Sequence, residues 1–423
     1  GVQTCALPIS IDSWTICAQA NDRPQIDRRA VDEAFELALR MVVRPGTPLG
    51  EAGFSPRYLR DEITSVIKGR GLVSLGAYEV IQRTGRRAPL GKAQRAQVWD
   101  LKQRWDDEMA SRGTIDFVDV VARARDYARL VAEPRYSAAI VDEVQDISLV
   151  GMQLVRALVN GSGNEDPLNG LLILGDGAQR IYAGGFTLRQ AGIEVRGRTT
   201  VLRNNYRNTS EIISTALTVT GESIVEDLAE EFSRGAEEAE AVRHGRKPLL
   251  VRADTLDRLL DALTGQIQEL LGDQRVGLGD VGVLAPTNQL VQDVLGRLSL
   301  AGVPAMDLRD YTGSSTDRVK VGTYHRGKGL EFKAVILPHV SRGTFPTSPQ
   351  PGVPADQVAE DRELAISQLF VAMTRARDAL IVGVVGEASA VLEPHIGAFE
   401  VVDGPHDAAK RGIGQQIPAT RLS

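Results

Sequence analysis

Two short apolar runs that end abruptly at acidic residues constrain the fold most. Ala138-Ala139-Ile140-Val141 runs into Asp142-Glu143, and Leu171-Leu172-Ile173-Leu174 runs into Gly175-Asp176. Four apolar residues without polar alternation read as strands buried on both faces. That implies parallel pairing, with functional loops at the carboxyl ends. A turn-rich stretch, 161–170, connects the two runs. Further strand-like runs follow at 248–251, 281–285, 319–321, 334–337 and 379–384, with helical patterns over 255–271 and 287–301. This alternation predicts a second parallel α/β domain. Ahead of the first strand, residues 28–132 read mostly as helix: Val31, Phe35, Leu37, Ala38 and Met41 recur at helical spacing.

Composition narrows the class. The 423 residues carry 49 basic and 55 acidic side chains, a formal charge of −6, with 43% hydrophobic and 25% charged residues. These are values of a globular protein with real cores, so wholesale disorder is excluded. No run approaches the roughly 20 apolar residues of a membrane helix. Two cysteines, Cys5 and Cys17, cannot build a disulfide framework or a zinc cluster, which fits a reducing, cytoplasmic setting. Overall charge cannot drive nucleic-acid binding here, although a local basic groove can. Residues 57–95 hold nine Lys/Arg against three acids; they read either as a solvated helical surface or as a phosphate-contacting arm. Residues 221–241 hold eight acids against Arg234 and read as a solvated segment.

The chemistry-bearing motifs come in a fixed order. Asp142 and Glu143 at a strand end suit phosphoryl transfer from a nucleotide to water. One carboxylate holds Mg²⁺, and the next orients and deprotonates the attacking water; we assign Asp142 to the metal and Glu143 to the water. In Gly175-Asp176-Gly177-Ala178-Gln179, the Gln179 amide can bond a γ-phosphate or its water. The pair Tyr206-Arg207 can stack on a base and bind a phosphate, with Thr209 or Ser210 capping the next helix. In Thr323-Tyr324-His325-Arg326-Gly327-Lys328-Gly329-Leu330-Glu331, the two glycines around Lys328 permit close backbone approach to a ligand. Finally, 369–377 reads as a helix with Arg375 and Arg377 near its end, suited to supplying an arginine finger.

In this order the five motifs resemble motifs II to VI of the superfamily-one helicases of the UvrD/Rep group, over about residues 115–390. The resemblance implies two RecA-like P-loop NTPase domains with parallel sheets, plus a helical insertion in the first. The implied boundaries are a partial first domain at 11–200 with the insertion at about 28–114, a second domain at 201–403, and a loose tail at 404–423. It also implies an ATP-dependent 3′→5′ DNA helicase or translocase using ATP and Mg²⁺. Its substrate would be single-stranded DNA or DNA with a 3′ single-stranded tail. By resemblance, Asp142 and Glu143 serve Mg²⁺ and water, and Gln179 senses the γ-phosphate. Arg207 and Arg375 reach the phosphates from the second domain, with Tyr206 near the base, Glu331 on the ribose and Lys328 at the nucleotide. Thr323 and His325 face the DNA backbone, and Tyr182 lies on the DNA side.

Three departures accompany the resemblance. The phosphate-binding loop Gly-x-x-x-x-Gly-Lys-Thr/Ser is absent from the sequence; Gly91-Lys92 is followed by Ala93. The opening Gly1-Val2-Gln3-Thr4-Cys5-Ala6-Leu7-Pro8-Ile9 reads as a translated sequencing-adapter end. We therefore expect residues 1–10 to be an artefact, the family's amino-terminal part to lie outside this chain, and the 423 residues alone to be inactive on ATP. Second, only residues 306–318 separate the preceding segment from the fourth motif, where the family carries a large insertion domain. Third, Ala183-Gly184-Gly185 stand where the family has a base-stacking aromatic, and Phe186 is the candidate to replace it. The alternative function is a non-catalytic nucleic-acid-binding relative of the same fold.

Overall fold

The computed structural model describes residues 13, 15–18, 25–130, 136–160, 170–175, 186–195, 197–200, 202, 204–221, 241–272 and 276–403. The helical region is built from α1 (Arg28–Val42), α2 (Pro48–Ala52), α3 (Pro56–Asp61), α4 (Leu75–Val80) and α5 (Lys92–Ser111), with a wider π-helical stretch, Glu62–Lys68, directly after α3. Asp27, Thr47, Ser55 and Ser74 cap four of these helices by accepting backbone N–H bonds. Val31, Phe35 and Ala38, predicted as one helix face, pack with Leu59, Ile63, Ile67, Leu101 and Trp105 in a core of their own.

A buried ion network ties this unit together. Arg83 holds the fully buried Glu62 by two bonds, at 2.6 and 2.8 Å, and Tyr78 donates to the same carboxylate at 2.7 Å. Burial alone would raise the Glu62 pKa; Arg83 and Arg86 outweigh it and hold the carboxyl low. Lys68 is enclosed by Asp106, Asp116 and Asp119 at 2.7–2.8 Å.

After α6 (Phe117–Leu130), strands β1 (Ala139–Val141) and β2 (Leu171–Ile173) pair in parallel, with α7 (Leu149–Asn160) between them. The second unit starts with the parallel pair β3 (Asn205–Thr209) and β4 (Ala241–Arg243), and α8 (Ser210–Thr220) follows β3, capped by Thr209. Its main sheet has seven parallel strands: β5 (Leu249–Ala253), β6 (Val281–Ala285), β7 (Ala305–Asp307), β8 (Val319–Thr323), β9 (Phe332–Leu337), β10 (Ala376–Val385) and β11 (Glu400–Asp403). The spatial order is β11-β5-β10-β9-β6-β8-β7. Helices α9 (Leu256–Gly272) and α10 (Asn288–Leu300) cover one face, and α11 (Ala355–Met373) packs with α8 in the other core.

The helical unit also grips α11. Arg86 bonds Glu360 at 2.7 Å, Arg87 pairs with Glu363 at 2.7 Å, and Gln357 bonds Ser55 at 2.6 Å. Among the described residues no helix is long and apolar enough to cross a membrane.

Candidate functional site

Asp142 and Glu143 sit at the carboxyl end of β1, as their spacing predicts. The Leu174 N–H donates to Val141 O at 2.7 Å and Val144 N–H to Leu174 O at 3.0 Å, so the turn is sewn to the neighbouring strand. Gly175 is required here: a Cβ would lie 2.6 Å from Val144 Cγ1. Glu143 adopts φ +53°, a left-handed conformation uncommon for a residue other than glycine. Its N–H donates to Asp142 Oδ1 at 2.9 Å, and Gln145 Nε2 donates to its carboxylate. Asp142 is exposed, and among the described residues no side chain competes for its second oxygen. Mg²⁺ commonly takes one or two carboxylates and completes its shell with water and phosphate oxygens. One open carboxylate fits that ion, and among the described residues no three-ligand cluster competes with it.

Three residues far apart in sequence meet at the amino ends of β9 and β10. Arg207 Nε lies 2.7 Å from Glu331 Oε1, both partly exposed. Phe332 N–H, next to Glu331, donates to Arg375 O at 3.1 Å. Arg375 departs from the sequence reading: α11 stops at Met373, so Arg375 lies in the turn before β10 and Arg377 lies in that strand rather than on a helix. The turn forms because Thr374 Oγ1 bonds Phe370 O and Val371 O, turning the hydroxyl back on its own helix end. Arg375 is 1% exposed, with Nε donating to Val371 O at 3.0 Å. Tyr206, the base-side candidate, is 66% exposed beside this cluster.

Thr323 and His325 lie at the opposite, carboxyl end of β8, since Thr323 pairs with Ala285 while Phe332 precedes the register at Val281. The segment between Thr323 and Phe332 therefore crosses the sheet from one end to the other. Gly327 makes that crossing close, because a Cβ would lie 2.7 Å from Leu284 Cδ1. Desolvation of the His325 ring, followed by the charges of Lys328, Arg326 and Arg57, lowers its pKa. Lys328 reaches back to the first strand pair and bonds Asp146 Oδ1 at 2.5 Å. Burial raises the Asp146 carboxyl, and Lys328 only partly offsets it. Phe186 is partly buried against the core beside β1, packed with Val141, Met152 and Leu188, so its ring is engaged within the protein. Gln179 and Tyr182 lie outside the described residues.

The basic stretch 57–95 is a structural network rather than an open phosphate arm. Arg60 bonds Asp32, Arg70 donates to Gln82 O, and Arg95 donates to the carbonyls of Tyr78, Glu79, Ile81 and Leu90. With Lys68, Arg83 and Arg86 also committed, these cations neutralise buried acceptors. The sequence reading missed Asn208, Arg243 and Asp146, which link separate segments of this site; only Asp146 carried a signal, as the third acid of its motif.

Residues 75–194 match the UvrD/REP helicase N-terminal domain, and residues 305–386 match the UvrD-like helicase C-terminal domain. The two matched segments support a UvrD/Rep-like helicase. The chain's two α/β units and parallel sheets are those of the RecA-like helicase fold. The chain is similar to proteins called ATP-dependent DNA helicase UvrD1 from Mycobacterium bovis and Mycobacterium tuberculosis. Each is 34% identical over 138 residues, which is 29% of this chain and 17% of the relative. The match thus spans under a fifth of those relatives' length. A solved C-terminal domain of a possible DNA helicase from Lactobacillus plantarum aligns at 16% identity with a TM-score of 0.34, covering 47% of this chain and 98% of that one.

Proposed function

We propose that this chain forms the core of an ATP-hydrolysing motor that moves 3′→5′ on single-stranded DNA and unwinds duplexes from a 3′ single-stranded tail, in the cytoplasm. The observation that supports it best is the gathering of Arg207, Glu331 and Arg375 at the amino ends of β9 and β10, in a chain whose other unit presents Asp142 and Glu143 at a strand end. Bound Mg²⁺ would neutralise charge on the phosphates, with Asp142 as its protein ligand. Glu143 would take the proton of the attacking water, and Gln145 orients its carboxylate. Arg207 and Arg375 would meet the phosphates from the second unit and Glu331 the ribose, with Tyr206 near the base and Gln179 at the γ-phosphate.

The crossing segment offers the coupling route. Thr323 and His325 would touch the DNA backbone at one end of the sheet, and Glu331 the nucleotide at the other. Lys328, between them, holds the first unit through Asp146. A shift at either end is therefore transmitted along a single short stretch of chain.

The test is ATP hydrolysis by the whole protein, titrated with single-stranded DNA, together with unwinding of 3′-tailed and 5′-tailed duplexes. DNA-stimulated hydrolysis and preference for the 3′ tail are expected. DNA binding without stimulated hydrolysis would replace this reading with the non-catalytic alternative.

A further inference from the structure

We propose that Asn208 is a positioning residue that sets the Arg375 turn and joins it to Arg207, so that the two arginines act as one rigid unit. This rests on the reading of both arginines as phosphate-reaching groups.

Asn208 is 2% exposed and stands in β3 next to Arg207. Its Nδ2 donates to Thr374 O at 2.9 Å and to Ala376 O at 2.6 Å, the carbonyls on either side of Arg375. Carbonyls can only accept, so the amide nitrogen must face them and its two protons are both used. Its Oδ1 accepts from Asn205 Nδ2 at 3.0 Å. Asn205 Oδ1 in turn accepts the backbone N–H of Arg207 at 2.9 Å and of Asn208 at 3.0 Å. A continuous chain of amide bonds therefore runs from the Arg207 backbone to both flanks of Arg375.

The carbonyl of Arg375 itself is held by Phe332 N–H. Three consecutive carbonyls are thus fixed, two by Asn208 and one by the strand that carries Glu331. Arg243 adds an outer strap, with Nη1 donating to Arg207 O at 2.7 Å and the guanidinium also pairing with Asp378. No other short side chain performs this role. Serine has one proton for two carbonyls, alanine has none, and aspartate would set a carboxylate against two acceptors.

Small displacements of a reacting group are expensive, about 10²-fold in rate for 1 Å. In the whole protein, Asn208→Ala is expected to lower kcat for DNA-stimulated ATP hydrolysis by about 10–100-fold, with KM for ATP and nucleotide-free DNA binding changed less than about threefold. The decisive comparison is the double variant. If Asn208 acts through Arg375, Asn208→Ala adds no further loss in an Arg375→Ala background. Thr215→Ala, which removes a partly buried hydrogen bond from α8 to Ala398 O and touches neither arginine, is the stability control: a lowered Tm with unchanged kcat.

Wild-type turnover by Asn208→Ala, or losses that multiply in the double variant, overturn the proposal. Near-normal turnover by Arg375→Ala alone instead overturns the role given to Arg375, and the positioning role with it. Should Asn208→Ala fail to fold, Asn208→Ser keeps one donor and carries the same double-variant comparison.

Discussion

Arg207 and Glu331, 124 positions apart in the chain, are bound to each other at 2.7 Å, although one is proposed to meet a phosphate and the other a ribose. Each half-exposed side chain gives the other a partner that a nucleotide must share or displace. Exposed ion pairs contribute only about 0–1 kcal/mol, so the exchange is inexpensive. Glu331→Gln is therefore expected to raise KM for ATP by about tenfold with a small effect on kcat, because it removes uniform binding. Arg207→Ala should lower kcat by about 10³-fold or more, as for arginines that meet transition-state charge. Thermal melts of both variants should stay close to wild type. Equal effects of the two variants on kcat would assign Glu331 to the chemical step.

Arg375 and Arg377 are two positions apart but differ in setting. Arg375 is buried in the turn, whereas Arg377 is partly exposed on β10 and paired with Asp378 at 3.0 Å. Arg375→Ala should suppress DNA-stimulated hydrolysis by about 10³–10⁵-fold while leaving nucleotide-free DNA binding largely intact. Arg377→Ala should do far less. The readout is ATPase rate against single-stranded DNA concentration. A crippled Arg377 variant beside an active Arg375 variant would shift the motif by two residues.

The five central sheet strands were legible because they are mostly apolar runs, whereas the short edge strands β7 and β11 were not foreseen. Val281–Ala285 is buried throughout and was predicted to the residue. β3 was not foreseen as a strand, since Asn205-Tyr206-Arg207-Asn208-Thr209 is wholly polar or aromatic and, among the described residues, pairs only with the three-residue β4. The helix ending at Met373 was extended to Arg377 because a back-bonding threonine is invisible to periodicity. The arginines of 57–95 looked like a surface because sequence spacing does not show that Glu62 and several backbone carbonyls would be buried among them. Asp142 and Glu143 could be placed because an acid pair at a strand end has a direct chemical reading. Asn208 had no such signal, since its role depends on a turn 166 positions away.

Tyr324 lies in the fourth motif, with its ring 5.9 Å from Phe345 and its hydroxyl buried without a hydrogen-bond partner among the described residues. Burial pushes its pKa well up, so the hydroxyl stays neutral. An unsatisfied buried polar group costs about 1–3 kcal/mol. Tyr324→Phe should therefore hold or raise stability by up to about 1 kcal/mol, measured by denaturant midpoint at constant m. A loss above about 1 kcal/mol would mean that the hydroxyl has a bound partner, such as a buried water.

Asp119 supplies a pH signature. Burial first, and then the Asp116 charge, push its carboxyl up to about 6 despite Lys68 at 2.8 Å. An acid whose pKa is raised on folding favours the folded state in its protonated form. The ionised form therefore penalises the fold above about pH 6, and the penalty is relieved as pH falls through 6 toward the ordinary carboxylate range. Asp119→Asn keeps an acceptor for Lys68 and removes the charge. Its Tm should exceed wild type at pH 8, with the gap narrowing as pH falls through 6 and closing only in the ordinary carboxylate range, near pH 4. A gap independent of pH would place the effect elsewhere.

Glu143 separates chemistry from stability. Its φ of +53° is a conformation that costs a non-glycine residue about 1–3 kcal/mol and persists where function needs it. Two substitutions divide the two demands. Glu143→Gln keeps the shape, the strain and the contact to Gln145, yet it cannot accept a proton from water. In the whole protein it should retain nucleotide and DNA binding while losing about 10²–10⁴-fold in turnover. Glu143→Gly abolishes turnover as well but relieves the backbone, so its Tm should equal or exceed wild type. If glycine instead lowers Tm substantially, the Glu143 side chain is holding the β1 turn together. Near-normal turnover in Glu143→Gln would move the general base to another carboxylate, and Asp146, already raised by burial, is the next to test.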